Sequence, residues 1–127
     1  MHKVTVTSKG GYAFSAKTAT AGSFDIDAKT GPVGPLDALL AGLAACVAVY
    51  IRKYAEGAKI TLEGYSVTAE AELAKEQPVR FTRIDVTMDL GPAALDDRRK
   101  KALLEFVRNC PAHNTLKGNP EVLLRLV

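Results

Sequence analysis

Two cysteines stand in this chain, Cys46 and Cys110. A thiolate is the best protein nucleophile toward a weak O–O or S–S bond. A second thiol within reach turns its oxidised product into a disulfide that a reductant can reopen. That chemistry requires the two sulfurs to meet. Taken alone, Cys46 reads as a small hydrophobe in an alanine-rich apolar run, Pro35 to Cys46. Cys110 is placed more particularly, at the end of an apolar helical stripe and against Pro111. If Pro111 begins a new turn, Cys110 occupies its cap and faces unpaired backbone N–H groups, an arrangement expected to lower its pKa.

Cys46 lies too deep in its helix to feel the helix dipole and needs a cation from elsewhere. Lys53 shares its face but lies roughly 10 Å along the axis. Lys9, Lys17, Arg80 and Arg83 could arrive only through tertiary or dimer contacts, and the sequence does not choose among them. His113, three residues after Cys110, is a candidate local base, weighed against an exposed loop histidine. Two Cys and two His at unrelated spacings lack the paired pattern of a structural zinc site. No phosphate-cradling glycine loop, dinucleotide fingerprint or nucleophile elbow is present.

The elements that must position these groups follow from periodicity. Val4 and Val6 alternate with threonines, Gly10-Gly11 supplies a turn, and alternation resumes at Tyr12 and Phe14 before a third short strand at Ser23 to Asp27. From Pro35, apolar residues recur at three- and four-residue spacing through Leu36, Leu39, Leu40, Leu43, Val47, Tyr50, Ile51 and Tyr54, with alanines on the other faces. Such a helix must be buried on nearly every side, and Gly57 is its expected stop. Ile60 to Leu73 predicts a long strand with a bulge at Glu63-Gly64, paired to a strand carrying Ile84, Val86, Met88 and Leu90. A second helix presents Leu103, Phe106, Val107 and Cys110, and Val122 to Val127 predicts a closing strand. The order expected is βββ-α-ββ-α-β, an α+β fold in one domain over residues 1–127.

Composition excludes some classes. With 47% hydrophobic and 24% charged residues, the chain is an ordinary globular one. Its net charge of +3 is scattered apart from Arg98 to Lys101, and no aromatic platform accompanies that cluster, so nucleic acid is not an expected partner. The N-terminus has no leader-like apolar core, and the apolar run Ala38 to Ile51 falls short of a membrane span, so a soluble cytoplasmic protein is expected.

At three segments the chain resembles the OsmC/Ohr family, the osmotically inducible protein C and organic hydroperoxide resistance proteins. These are Gly34 to Cys46, Arg80-Phe81-Thr82-Arg83-Ile84, and Cys110-Pro111-Ala112-His113 continuing to Val122. The resemblance implies an intertwined homodimer with two central helices packed on antiparallel sheets, and sites built from both subunits. It implies reduction of organic hydroperoxides, with Cys46 as peroxidatic and Cys110 as resolving thiol. In the peroxidase branches an N-terminal arginine pairs with the thiolate. This chain has no arginine before Arg52, so the activating cation is either missing or replaced by Lys9 or Lys17. Those branches also carry a glutamate ten residues before the first cysteine, where Leu36 stands here, with Asp37 one residue later. The pattern is closer to the less characterised OsmC-like branch.

The reading is therefore a thiol-dependent redox protein acting on an organic or lipid hydroperoxide. Cys46 and Cys110 are its catalytic pair, with Asp37, Lys9, Lys17, Arg80 and His113 as supporting candidates. Leu39, Leu43, Tyr50 and Phe106 are the expected substrate pocket. A lipoyl-type or other dithiol is the implied reductant, and no metal or organic cofactor is required. The rival reading is a non-catalytic dimer of the same fold that binds a small apolar ligand and uses both cysteines as packing.

Overall fold

A computed structural model describes residues 2–127 and places eight elements in the order β1-β2-β3-α1-β4-β5-α2-α3. The chain divides into two compact units, one ending at Ala41 and the other running Gly42–Val127.

In the N-terminal unit, β1 (Val4–Gly10), β2 (Ala13–Thr18) and β3 (Ser23–Asp27) form an antiparallel sheet in sequential order. The first turn sits where the sequence placed it, with Gly10 and Gly11 at φ of 107° and 58°, a region costly for side-chain-bearing residues. The second is tied by the Thr18 hydroxyl, which accepts from the Gly22 N–H at 3.0 Å. After β3, the Asp27 carboxylate accepts from the N–H groups of Lys29 and Thr30, both at 2.9 Å, which holds its pKa below the usual carboxylate value. Register pairs Val6 with Ala16 and Ala16 with Phe24. Among the described residues of this unit, Ala16 alone is fully buried. Three strands with so little interior do not constitute a self-sufficient core.

Helix α1 (Pro35–Gly57) begins with Pro35, where a missing N–H costs nothing, and the Asp37 carboxylate accepts from the Gly34 N–H at 2.9 Å. It ends at Gly57 as expected, but the left-handed residue is Lys59, at φ 56°. The Ile60 N–H reaches back to the Ala55 carbonyl at 2.8 Å and the Lys59 N–H to Glu56 at 3.3 Å, the paired bonds of a Schellman stop.

In the C-terminal unit, Leu43, Val47, Ile51 and Ala55 make one buried stripe at four-residue spacing. It joins Leu62, Leu95, Leu103, Val107 and Cys110 in a single core. Strands β4 (Ser66–Leu73) and β5 (Phe81–Asp89) pair antiparallel. Their register sets Val67 opposite Met88, Ala69 opposite Val86 and Ala71 opposite Ile84, and Val67, Met88, Val86 and Ile84 pack against that core. Helix α2 (Asp97–Val107) is capped by Asp96, whose carboxylate accepts from the Arg99 N–H at 2.8 Å. Helix α3 (Pro111–Gly118) follows at once. Tyrosines fasten α1: the Tyr65 hydroxyl donates to the Ala48 carbonyl at 3.2 Å and the Tyr54 hydroxyl to the Arg99 carbonyl at 3.4 Å.

The α+β class stands, and three details differ from expectation. Strand β4 starts at Ser66 and not Ile60, because Gly64 turns at φ 66° and Leu62 is drawn into the core. Pro111 starts a whole extra helix. Val122 to Val127 forms no strand, and its apolar side chains stand in solvent. Burial of α1 on nearly every side is not met within the chain either, since Leu36, Leu39 and Val49 stay exposed.

Candidate functional site

Cys46 projects from α1 three residues after Leu43 and is half-buried, packed against the core that contains Cys110. Cys110 itself is 0% exposed. Its backbone is fixed from both sides: the N–H donates to the Val107 carbonyl at 3.1 Å, and the carbonyl accepts the first bond of α3 from Asn114 at 3.0 Å. A stripe begun by Leu103 and Val107 thus ends on a thiol at the N-cap of the next helix.

The two thiols share one packed region, Cys46 lying against the core that buries Cys110. Burial comes first in pushing the Cys110 thiol above its ordinary pKa, and a hydrogen bond with Cys46 and the negative charge of Cys46 add to it. The backbone N–H groups of His113 and Ala112 act the other way without closing a full capping hydrogen bond. The sequence expectation that the helix cap lowers this pKa is therefore corrected. The cap is present, and desolvation together with Cys46 outweighs it.

The supporting candidates are dispersed. In the N-terminal unit, the Lys9 ammonium pairs with Asp25 at 3.3 Å, Asp37 holds the Gly34 N–H, Lys17 is exposed on β2, and Leu39 is exposed on α1. In the C-terminal unit, Arg80 donates to the Pro78 carbonyl at 2.7 Å, and His113 places Nδ1 3.3 Å from Asn114 Oδ1. Lys53 lies 4.7 Å over the Tyr50 ring, and Arg52 lies 5.1 Å over Tyr65. Of the pocket candidates, Tyr50 and Phe106 pack on each other with ring centroids 5.9 Å apart, and Leu43 belongs to the core.

Two grooves escaped the sequence reading. One of about 550 Å³ is lined by Met88, Leu90, Ala93, Lys100, Leu103 and Leu104. The other, about 290 Å³, brings Leu43 to Phe81, Ile84, Val86 and Leu116, with His113 and Lys117 among its walls. The available signal was the four-residue spacing of His113 and Lys117, which places them on one face of α3. Among the described residues, no cluster of three or more His, Cys, Asp or Glu side chains is arranged to hold a metal ion.

Comparison with known proteins places the fold in a family. Among curated proteins no sequence matches. An OsmC-like protein from Mycoplasma pneumoniae superposes with a TM-score of 0.81 at 24% identity, covering 94% of this chain and 89% of that one. An osmotic stress induced and detoxification response protein from Psychrobacter arcticus gives 0.80 at 23% identity, covering 91% and 88%. The organic hydroperoxide resistance protein OsmC of Legionella pneumophila gives 0.67 at 25% identity, covering 94% and 90%. The family model described as OsmC-like protein matches residues 28–125, a span that holds both cysteines, and the chain belongs to that family.

Proposed function

We propose that this protein is a thiol-dependent peroxidase of organic or lipid hydroperoxides, working through Cys46 and Cys110. The observation that carries the reading is the convergence of two thiols from distant parts of the chain, Cys46 packed against the core in which Cys110 is buried. Cys46 thiolate attacks the distal peroxide oxygen. The O–O bond breaks, the alkoxide leaves and takes a proton as the alcohol, and Cys46 becomes a sulfenic acid. Cys110 then attacks that sulfur, and its proton leaves with the hydroxyl as water, forming the disulfide. A dithiol of lipoyl type returns both sulfurs to thiols and is itself oxidised. The organic hydroperoxide resistance protein of Legionella pneumophila, similar in fold, supports the substrate class.

The same proposal includes a homodimer in the cytoplasm. Helix α1 is long and apolar enough to cross a membrane, yet its core stripe is covered by the chain's own residues, and Arg52, Lys53 and Glu56 lie in its last turns. A second copy accounts for the apolar faces left open on α1 and at Val122 to Val127. A non-catalytic dimer binding a small apolar ligand draws support from one feature: Arg52, Lys53 and Arg80 are each engaged by a group other than a thiol.

Single-turnover oxidation by cumene hydroperoxide separates the two readings. The peroxidase reading predicts that Cys110→Ser accumulates dimedone-trappable sulfenic acid on Cys46, while Cys46→Ser leaves the peroxide intact. Oxidation of Cys46 no faster than that of free cysteine supports the non-catalytic dimer.

A further inference from the structure

We propose that the 290 Å³ groove between β5 and α3 is a binding site for an amphipathic monoanion, a medium-length alkyl carboxylate whose headgroup is received by Lys117. Its floor is apolar, with Leu43, Phe81, Ile84, Val86 and Leu116 converging from α1, β5 and α3. The volume sits at the lower end of ligand pockets, roughly 300–1,000 Å³, and suits a short chain over a large ring system. Its walls carry charge of one sign. No Asp or Glu lines it, while Arg83, His113 and Lys117 all do.

These three are not equivalent. The Arg83 guanidinium is withdrawn, its Nε and Nη2 atoms donating to Asp85 Oδ1 at 3.0 and 2.9 Å. His113 spends Nδ1 on Asn114. Among the described residues Lys117 has no carboxylate within ion-pairing distance, so its three donors are open to a ligand. A groove with an apolar floor and one uncommitted ammonium at its wall is complementary to a hydrocarbon tail ending in an anion. The inference stands apart from the peroxidase reading, since it concerns binding to the resting dithiol protein.

The test compares octanoate with octanol by calorimetric titration of the reduced full-length protein, below the micelle threshold. An apolar groove without a cation favours the alcohol, because the carboxylate loses more hydration on entry. The cationic wall adds up to about fivefold to octanoate, the upper range for a solvent-exposed ion pair, and is expected to tip the order so that octanoate binds modestly tighter than octanol. Lys117→Gln restores the preference for octanol while leaving octanol affinity unchanged, and Lys117→Arg keeps the preference for octanoate. Leu116→Ser weakens both compounds. An equal or better affinity for octanol in the unaltered protein overturns the proposal, as does an octanoate preference that survives in Lys117→Gln. So does binding of neither compound, the outcome expected where a second copy of the chain fills the groove.

Discussion

The Cys110 sulfur is pulled in opposite directions, upward in pKa by burial and by Cys46, downward by the N–H groups of His113 and Ala112. Cys46→Ala removes both the hydrogen bond and the charge of Cys46 and leaves burial in place. Its Cys110 pKa is expected to fall relative to the unaltered protein. Site-resolved alkylation rates across pH measure this, and an unchanged profile contradicts direct coupling of the thiols. Linkage fixes the sign for stability. With the folded pKa raised above the unfolded one, the contribution is complete below the unfolded value and is lost as pH rises toward the folded one. Reduced protein should therefore unfold at lower urea concentration at about pH 9.5 than at about pH 7, and Cys110→Ala should flatten that difference. Sequence alone gave the demand that the thiols meet and showed the cap that Pro111 creates. It did not show the desolvation that counters the cap, because Cys110 is buried in a core whose other members, Leu62 and Leu95 among them, come from elsewhere in the chain.

Elements were legible where a local rule had no competitor. The period of α1 and the proline at its first turn needed nothing beyond the helix itself. Asp96 caps α2 by an equally local bond. Asp96→Ala should cost about 1 kcal/mol through loss of the cap to Arg99, read as a lower urea midpoint. The stretch from Ile60 to Tyr65 was misread because β-like residues there serve packing: Leu62 enters the core and Gly64 turns the chain. Ile51, fully buried on α1, sets the scale of that packing. Ile51→Ala should cost roughly 2–5 kcal/mol by thermal or urea unfolding, whereas a loss under about 1 kcal/mol would contradict its place at the centre of the core. The terminal segment reads as a strand in sequence, yet a strand is defined by a neighbour to bond with, and within one chain Val122 to Val127 has none.

For the whole molecule, the open faces and the thiol pair lead to separate tests. Val49 is 51% exposed on α1 and Leu126 98% exposed near the C-terminus. If a second copy covers them, light scattering should give about twice the 13.5 kDa chain mass, and Val49→Asp should move it toward one chain. The thiol cycle is tested most directly by intact-mass and peptide mapping of the unaltered protein after one equivalent of cumene hydroperoxide. The expected product is a single disulfide joining Cys46 to Cys110 within one chain, reopened by dihydrolipoate. Both cysteines recovered as free thiols, or Cys46 linked only to external thiols while Cys110 stays reduced, would contradict it.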